Sequence, residues 1–197
     1  MASAQIDSLN ILYNVDSLNK IYGKHKHFLK EYQLVSLLAL SDYPELMDER
    51  IKFKSASINS TARTTVSFPS IFGKENKHYV IYINNDLKRT GMLPSDMPFD
   101  AQVALIAHEL AHVLDFKNRG FLSMSLWGIR YLFVKQRSKI EKHADKTVIE
   151  RGLGRELYHF TNFILNHSTA NKHYLKMKQS RYLLPDEILS LTKKYKQ

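Results

Sequence analysis

The sequence predicts an α+β fold: a small mixed sheet of about three strands, a long apolar helix after it, and a mainly helical second half. Three observations predict it. Two stretches in the middle of the chain, IKFKSASINSTARTTVSFPSIF and HYVIYIN, are rich in Val, Ile, Ser, Thr and Tyr and alternate with the period of a pleated strand. A third, AQVALIAHELAHVLDF, carries apolar residues at helical spacing throughout. From there to the end the pattern is helical, punctuated by Gly and Pro rather than by strand signals.

Taken in order, residues 5–47 read mainly as helix, with Leu34, Val35, Leu37 and Leu38 on the apolar side and a stop near Pro44. Residues 51–72 then form one or two strands with a turn at Asn59–Ser60. HYVIYIN, residues 78–84, is the stronger strand: Tyr79, Ile81 and Ile83 share one face, Val80 and Tyr82 the other. GMLPSDMPFD is a loop leading into the long helix near Pro98 or Asp100. Later breaks fall at Gly120, residues 152–154, residues 168–171 and Pro185. A length of 197 residues suits one core, so 1–197 is read as a single domain: a helical segment over 1–47, a core over 48–152 and a helical segment over 153–197.

Composition limits the chemistry. With no cysteine, disulfides, thiolate metal sites, iron–sulfur clusters and thiol nucleophiles are excluded, so any metal must be held by His, Asp or Glu. The first residues include an early acid and lack an uninterrupted apolar run, so no secretory signal is expected and the cytoplasm is the expected location. The net charge of +10 is uneven: residues 1–116 hold 12 Lys and Arg against 13 Asp and Glu, residues 117–197 hold 17 against 6. A basic half points either to an anionic partner, nucleic acid or an anionic membrane surface, or to a plain solvated face. Within it, residues 121–134 are largely apolar but too few to span a bilayer. They read as a helix packed in the core or against the long helix. The alternative is a peripheral membrane contact, because Trp127, Tyr131 and Phe133 are flanked by Arg119, Lys135 and Arg137.

The long helix carries HELAH. Residues four apart share a helical face, so His108 and His112 present both imidazoles to one point, with Glu109 beside it. A mononuclear zinc hydrolase needs this arrangement: two neutral imidazoles hold the ion and a carboxylate takes the proton of a water the metal has acidified to a pKa of roughly 7. A third ligand must come from elsewhere. After an interval of 28 residues stands EKHAD, in which Glu141 and Asp145 share a helical face. Glu141 can complete the ligand set, and Asp145 can accept the free ring N–H of a ligating imidazole. His143 competes for the third position but lies on roughly the opposite face, and reads as a surface histidine.

HELAH followed by ExxAD resembles the gluzincin metallopeptidases, especially the group of the CAAX prenyl proteases and HtpX, and the soluble minimal gluzincins. The resemblance spans about residues 78–152 and is specific at His108, Glu109, His112, Glu141, Ala144 and Asp145. Other zincin patterns do not fit: the metzincin extension wants Gly and His where this chain has Asp115 and Asn118, and thermolysin-like spacing wants an acid where Tyr131 and Leu132 stand. The resemblance implies a zincin-like fold, Zn2+ on His108, His112 and Glu141, Glu109 as general base, and Asp145 behind the ligands. The transmembrane helices of the membrane members are missing, and no downstream His or Arg stands out as the family's oxyanion stabiliser. Tyr174, Tyr182, Arg181, His159, His167 and His173 all lie downstream, with Tyr182 and His159 nominated.

A polypeptide substrate is expected to pair as an extended strand along residues 78–84, against Tyr79, Val80, Ile81 and Tyr82. The expected function is therefore a zinc-dependent endopeptidase. Its rival is a silent or latent zinc-bearing scaffold that uses the basic half to hold nucleic acid or a membrane. Glu109 favours the enzyme, since a purely structural site has no use for a base there, and the lack of a nucleic-acid motif argues against that partner. Either the first 47 residues or the C-terminal YLLPDEILSLTKKYKQ can be imagined covering the cleft of a latent enzyme.

Overall fold

The alternating stretches become strands of one four-stranded mixed sheet in the computed structural model, which describes residues 14–67, 77–120, 123, 125–126, 128–129, 133–167 and 169–195. The strands are β1 (Lys26–His27), β2 (Arg50–Ala56), β3 (Ala62–Val66) and β4 (His78–Asn84), in the order β1-β2-β4-β3. β2 runs parallel to both β1 and β4, and β3 runs antiparallel to β4. The expected three strands gain a fourth, the two-residue β1, which nothing in its local pattern marks as a strand.

The bend at Asn59–Ser60 does not close a hairpin, because β4 lies between β2 and β3. Its register explains this. Ile51 and Phe53 of β2 pair with Tyr79 and Ile81 of β4, and Thr64 and Ala62 of β3 pair with Ile81 and Ile83, so one apolar face runs across all three strands. Ile51, Phe53, Tyr79, Ile81 and Ile83 are buried there, while Lys52 and Lys54 point to solvent from the other face. The most apolar strand takes the centre, where its main chain is paired on both sides. The reading of residues 79–82 as the strand that pairs with substrate is thereby corrected: β4 is paired on both sides, and among the described residues the edges of the sheet are β1 and β3.

Seven helices surround the sheet face among the described residues: α1 (Val15–Tyr22), α2 (Gln33–Ser41), α3 (Phe99–Lys117), α4 (Val134–Glu150), α5 (Gly154–Asn162), α6 (Lys172–Arg181) and α7 (Pro185–Tyr195), apart from one helical turn at Leu87–Thr90. α2 ends before Pro44, as expected, and Pro185 opens α7, where its missing N–H costs nothing. Residues 5–13 and 68–72 of the expected elements lie outside the described residues. Gly152, at φ 88°, takes the left-handed conformation that ends α4 and turns the chain into α5.

α3 is buried nearly all round, from Ala101 through Val103 to Val113 and Phe116. A helix without a polar stripe belongs in the interior. It packs against β3, α2, α4 and α5 at once. Two polar anchors hold it. Tyr43, just beyond α2, donates its hydroxyl to the Ala107 carbonyl at 2.8 Å. At the other end, the buried Lys77 ammonium donates to the carbonyls of Phe116 (2.7 Å), Lys117 (3.2 Å) and Arg119, adding partners to the acceptors at the helix C-terminus.

The segment expected to pack as a core helix does not do so where it is described. Leu126, Ile129, Phe133 and Val134 are each more than half exposed (56%, 55%, 63% and 63%). Trp127 and Tyr131 lie outside the described residues. No helix among the described residues is long and apolar enough to cross a membrane.

Because the buried Lys77 makes charge-assisted bonds to three carbonyls at the end of α3, Lys77→Met is expected to destabilise the fold by about 2–3 kcal/mol. Urea denaturation checks this. A change below half that figure would mean the helix end finds other partners.

Candidate metal centre

The 3.6-residue period puts His108 and His112 on one face of α3, and their rings stand nearly perpendicular (85°) with centroids 4.9 Å apart. α4 crosses that face and delivers Glu141 between them. Glu141 Oε2 lies 3.1 Å from His108 Nε2 and 3.4 Å from His112 Nε2. One ligand atom from each of the three buried residues falls within 4.8 Å of the other two. Two imidazole nitrogens and a carboxylate oxygen, converging from three buried residues, can hold a metal ion.

The electrostatics agree. Burial works to lower the pKa of His108, but hydrogen bonds to Asp145 and Glu141 and the charges of both carboxylates outweigh it and raise the imidazole to about 10. Burial works to raise Glu141, yet the hydrogen bonds and charges of His108 and His112 hold it well below the usual carboxylate range. The two carboxylates that favour a proton on His108 would also favour a cation among these ligand atoms, and binding one would release protons.

Asp145 stands one turn beyond Glu141 on the same face of α4, and both its oxygens are used. Oδ1 accepts from His108 Nδ1 at 2.9 Å, which directs Nε2 toward Glu141, and Oδ2 accepts the backbone N–H of Leu183 at 2.9 Å. The residue before Leu183, Tyr182, consequently sits against the site, its ring 5.5 Å from that of His108. Beneath it lies Lys178, a buried ammonium 3.6 Å from the Tyr182 ring centroid and 4.6 Å from that of Phe160. Burial brings that lysine down to about 8, against the pull of Asp145, Glu141 and Glu109. Cation–π attraction in this dry setting fixes the Tyr182 ring.

Glu109 faces a cleft of about 720 Å³ that is also lined by His112, Glu141, Thr64 and Tyr182. Thr64, on the edge strand β3, lies 2.6 Å from Glu109 Oε2 and 3.0 Å from the Glu109 carbonyl, and donates its hydroxyl hydrogen chiefly to the nearer carboxylate. The carboxylate is held in place by the strand that rims the cleft.

The other expected residues separate cleanly. Tyr174, Arg181 and His173 line the cleft with Tyr182, although the Tyr174 hydroxyl is engaged with Thr61 Oγ1 at 3.0 Å. His159 does not: it sits 3.2 Å from Asp100 at the opposite end of α3, about 12 Å along the axis from His108 at 1.5 Å per residue, and is withdrawn as an oxyanion donor. His143 is exposed, on the side of α4 away from Glu141. The His167 side chain lies outside the described residues. Reading along the chain missed Thr64 and the Leu183 amide. Neither carries a local signal, since a threonine in a strand and a backbone N–H are ordinary until the fold brings them to the site.

Metal titration of the variants tests the arrangement. Glu141→Ala is expected to abolish stoichiometric binding, and Asp145→Ala to weaken it about 10–100-fold by freeing the His108 ring. Unchanged affinity in Asp145→Ala would show that the ring is held by packing alone. Comparison with family models, with curated proteins and with solved structures finds no match to this chain.

Proposed function

We propose that the chain is a zinc metallopeptidase of gluzincin type with a zincin-like fold. The observation that carries the reading is Glu109: a buried carboxylate between two metal-facing histidines, braced by Thr64 and open to a peptide-sized cleft. His108, His112 and Glu141 would hold Zn2+, whose chemistry when bound is that of a Lewis acid, acidifying water and polarising a carbonyl.

The chain's own residues supply the rest. Glu109 takes the proton of the attacking water and passes it to the departing amine, as a general base that becomes a general acid. Thr64 keeps that carboxylate from swinging away. Tyr182, held by Lys178 on one side and His108 on the other, is the assigned donor to the oxyanion. Substrate enters as an extended strand on the outer edge of β3, residues 62–66, which also carries Thr64. Substrate position and base orientation are thus set by the same strand.

Zinc-loaded Glu109→Gln is expected to keep the metal and lose at least about 100-fold in cleavage of a peptide library relative to wild type. Thr64→Val is expected to lower kcat about 10-fold with little change in KM, with Thr64→Ser restoring it. Wild type that binds zinc and cleaves nothing would favour a silent scaffold instead.

A cytoplasmic protein in peripheral contact with an anionic membrane is a compatible second reading, favoured by the exposed Leu126, Ile129, Phe133 and Val134 beside the exposed Lys135. Flotation with anionic liposomes at low salt is expected to carry the protein upward. Protein left at the bottom would remove this contact.

A further inference from the structure

Lys178 carries a charge that the fold leaves without an ion pair. Its buried ammonium sits among three rings, 3.6 Å from the centroid of Tyr182, 4.6 Å from that of Phe160 and 5.9 Å from that of Tyr174. Among the described residues no carboxylate pairs with it and no carbonyl accepts from it. Such a group is costly to bury, and an apolar side chain of the same length would fill the space at less cost. The void it borders, also lined by Phe160, Ile164, Tyr182 and Leu183, is about 10 Å³, room for no more than a single water. An amine so enclosed does not reach a substrate, so its use lies in its charge.

That charge acts on the metal centre in two ways. Glu109, Glu141 and Asp145, the three buried carboxylates there, pull on the ammonium from beyond pairing distance. Burial lowers its pKa to about 8 against that pull, so it stays protonated at neutral pH. With His108 and His112 neutral as ligands, a divalent ion would offset two of the three carboxylates and Lys178 the third. The second route runs through Tyr182. Its N–H donates to the Lys178 carbonyl at 3.1 Å, so one turn of chain fixes ring and ammonium together. A cation over a ring face draws electron density from it, which makes the phenol hydroxyl a stronger donor. Resting on the peptidase reading and on Tyr182 as oxyanion donor, we propose that Lys178 is a positioning residue: its charge strengthens the Tyr182 hydroxyl and balances the third carboxylate of the loaded centre.

Two measurements on the full-length protein test this at pH 7. Lys178→Met keeps the length and apolar contacts of the side chain and removes the charge, and Lys178→Gln removes it while staying polar. In the zinc-loaded form both are expected to lower kcat on a cleaved peptide at least about 10-fold, with KM within about 2-fold of wild type. In a Tyr182→Phe background the same changes are expected to cost less than about 2-fold, since the hydroxyl they act through is gone. Zinc affinity, read by competition with a chromogenic chelator, is expected to move the other way and tighten about 3-fold or more, because a positive charge has left the neighbourhood of the ion. A packing role predicts weaker zinc binding and weaker cleavage together. Lys176→Met, at an exposed lysine on α6, is expected to change neither.

Wild-type kcat in Lys178→Met and Lys178→Gln, or an equal loss with and without the Tyr182 hydroxyl, would overturn the inference. So would zinc affinity that falls along with kcat. The zinc measurement separates this inference from the reading beneath it, because it needs no substrate. Wild type that cleaves nothing, while both Lys178 variants bind zinc more tightly, would sink the peptidase and the donor role of Tyr182 and leave the charge balance standing. Cleavage and zinc affinity that are both indifferent to Lys178 would do the reverse.

Discussion

Asp145 has two oxygens and a different obligation on each: one fixes the His108 ring, the other takes the amide of Leu183 from the segment that leads into α7. Through this carboxylate, α3, α4 and the C-terminal segment are tied at a single buried point. Breaking it would leave a desolvated charge and two unpaired N–H groups, so the three elements are held in one arrangement rather than several. The convergence of His108, His112 and Glu141 follows from that arrangement. So does the position of Tyr182, one residue from the amide that Asp145 holds.

α3 supplies the rigidity this requires. Its interior position leaves no solvent-facing stripe to fray, and its two polar anchors, Tyr43 at Ala107 and Lys77 at the C-terminus, act on the turn before His108 and on the last turn. Arg151, just past α4, adds a further tie by stacking over Tyr43 and pairing with Glu45 at 2.6 Å. The hydrogen-bonding needs of the helix backbone and the positioning needs of the site are met by the same contacts. A cluster of acids and imidazoles packed this closely would be unfavourable in a loop, where each group would be free to return to water.

The sheet contributes differently. Because β4 is enclosed by β2 and β3, the edge strand beside the candidate site among the described residues is β3, which carries Thr64 against Glu109. Arginines from β3, the turn at Leu87–Thr90, α4 and α6 line the cleft. The basic half of the sequence thus contributes Arg137 and Arg181 to the lining, while Arg63 and Arg89 come from the half whose net charge is near zero. Counting charge by halves could not have foreseen that grouping.

What the sequence by itself determined is whatever depends on one helix or one strand. His108, Glu109 and His112 are placed by helical periodicity alone, as are Glu141 and Asp145 relative to each other, and the α+β class follows from where the period changes from two to 3.6. The helix ends at Pro44 and Gly152 were equally local. Tertiary structure decided everything that joins segments far apart in the chain. Strand order set β4 in the centre and β3 at the edge because the shared apolar face of Ile51, Tyr79, Ile81 and Ala62 must be buried together, a condition no alternation pattern within one strand encodes. His159 and Tyr182 looked alike as downstream donors, yet one packs at the far end of α3 and the other against His108, because the chain folds back there on the Asp145–Leu183 bond. Side-chain spacing along one element is fixed by backbone geometry. Contacts between elements are fixed by which surfaces exclude water together, and only the folded chain states those.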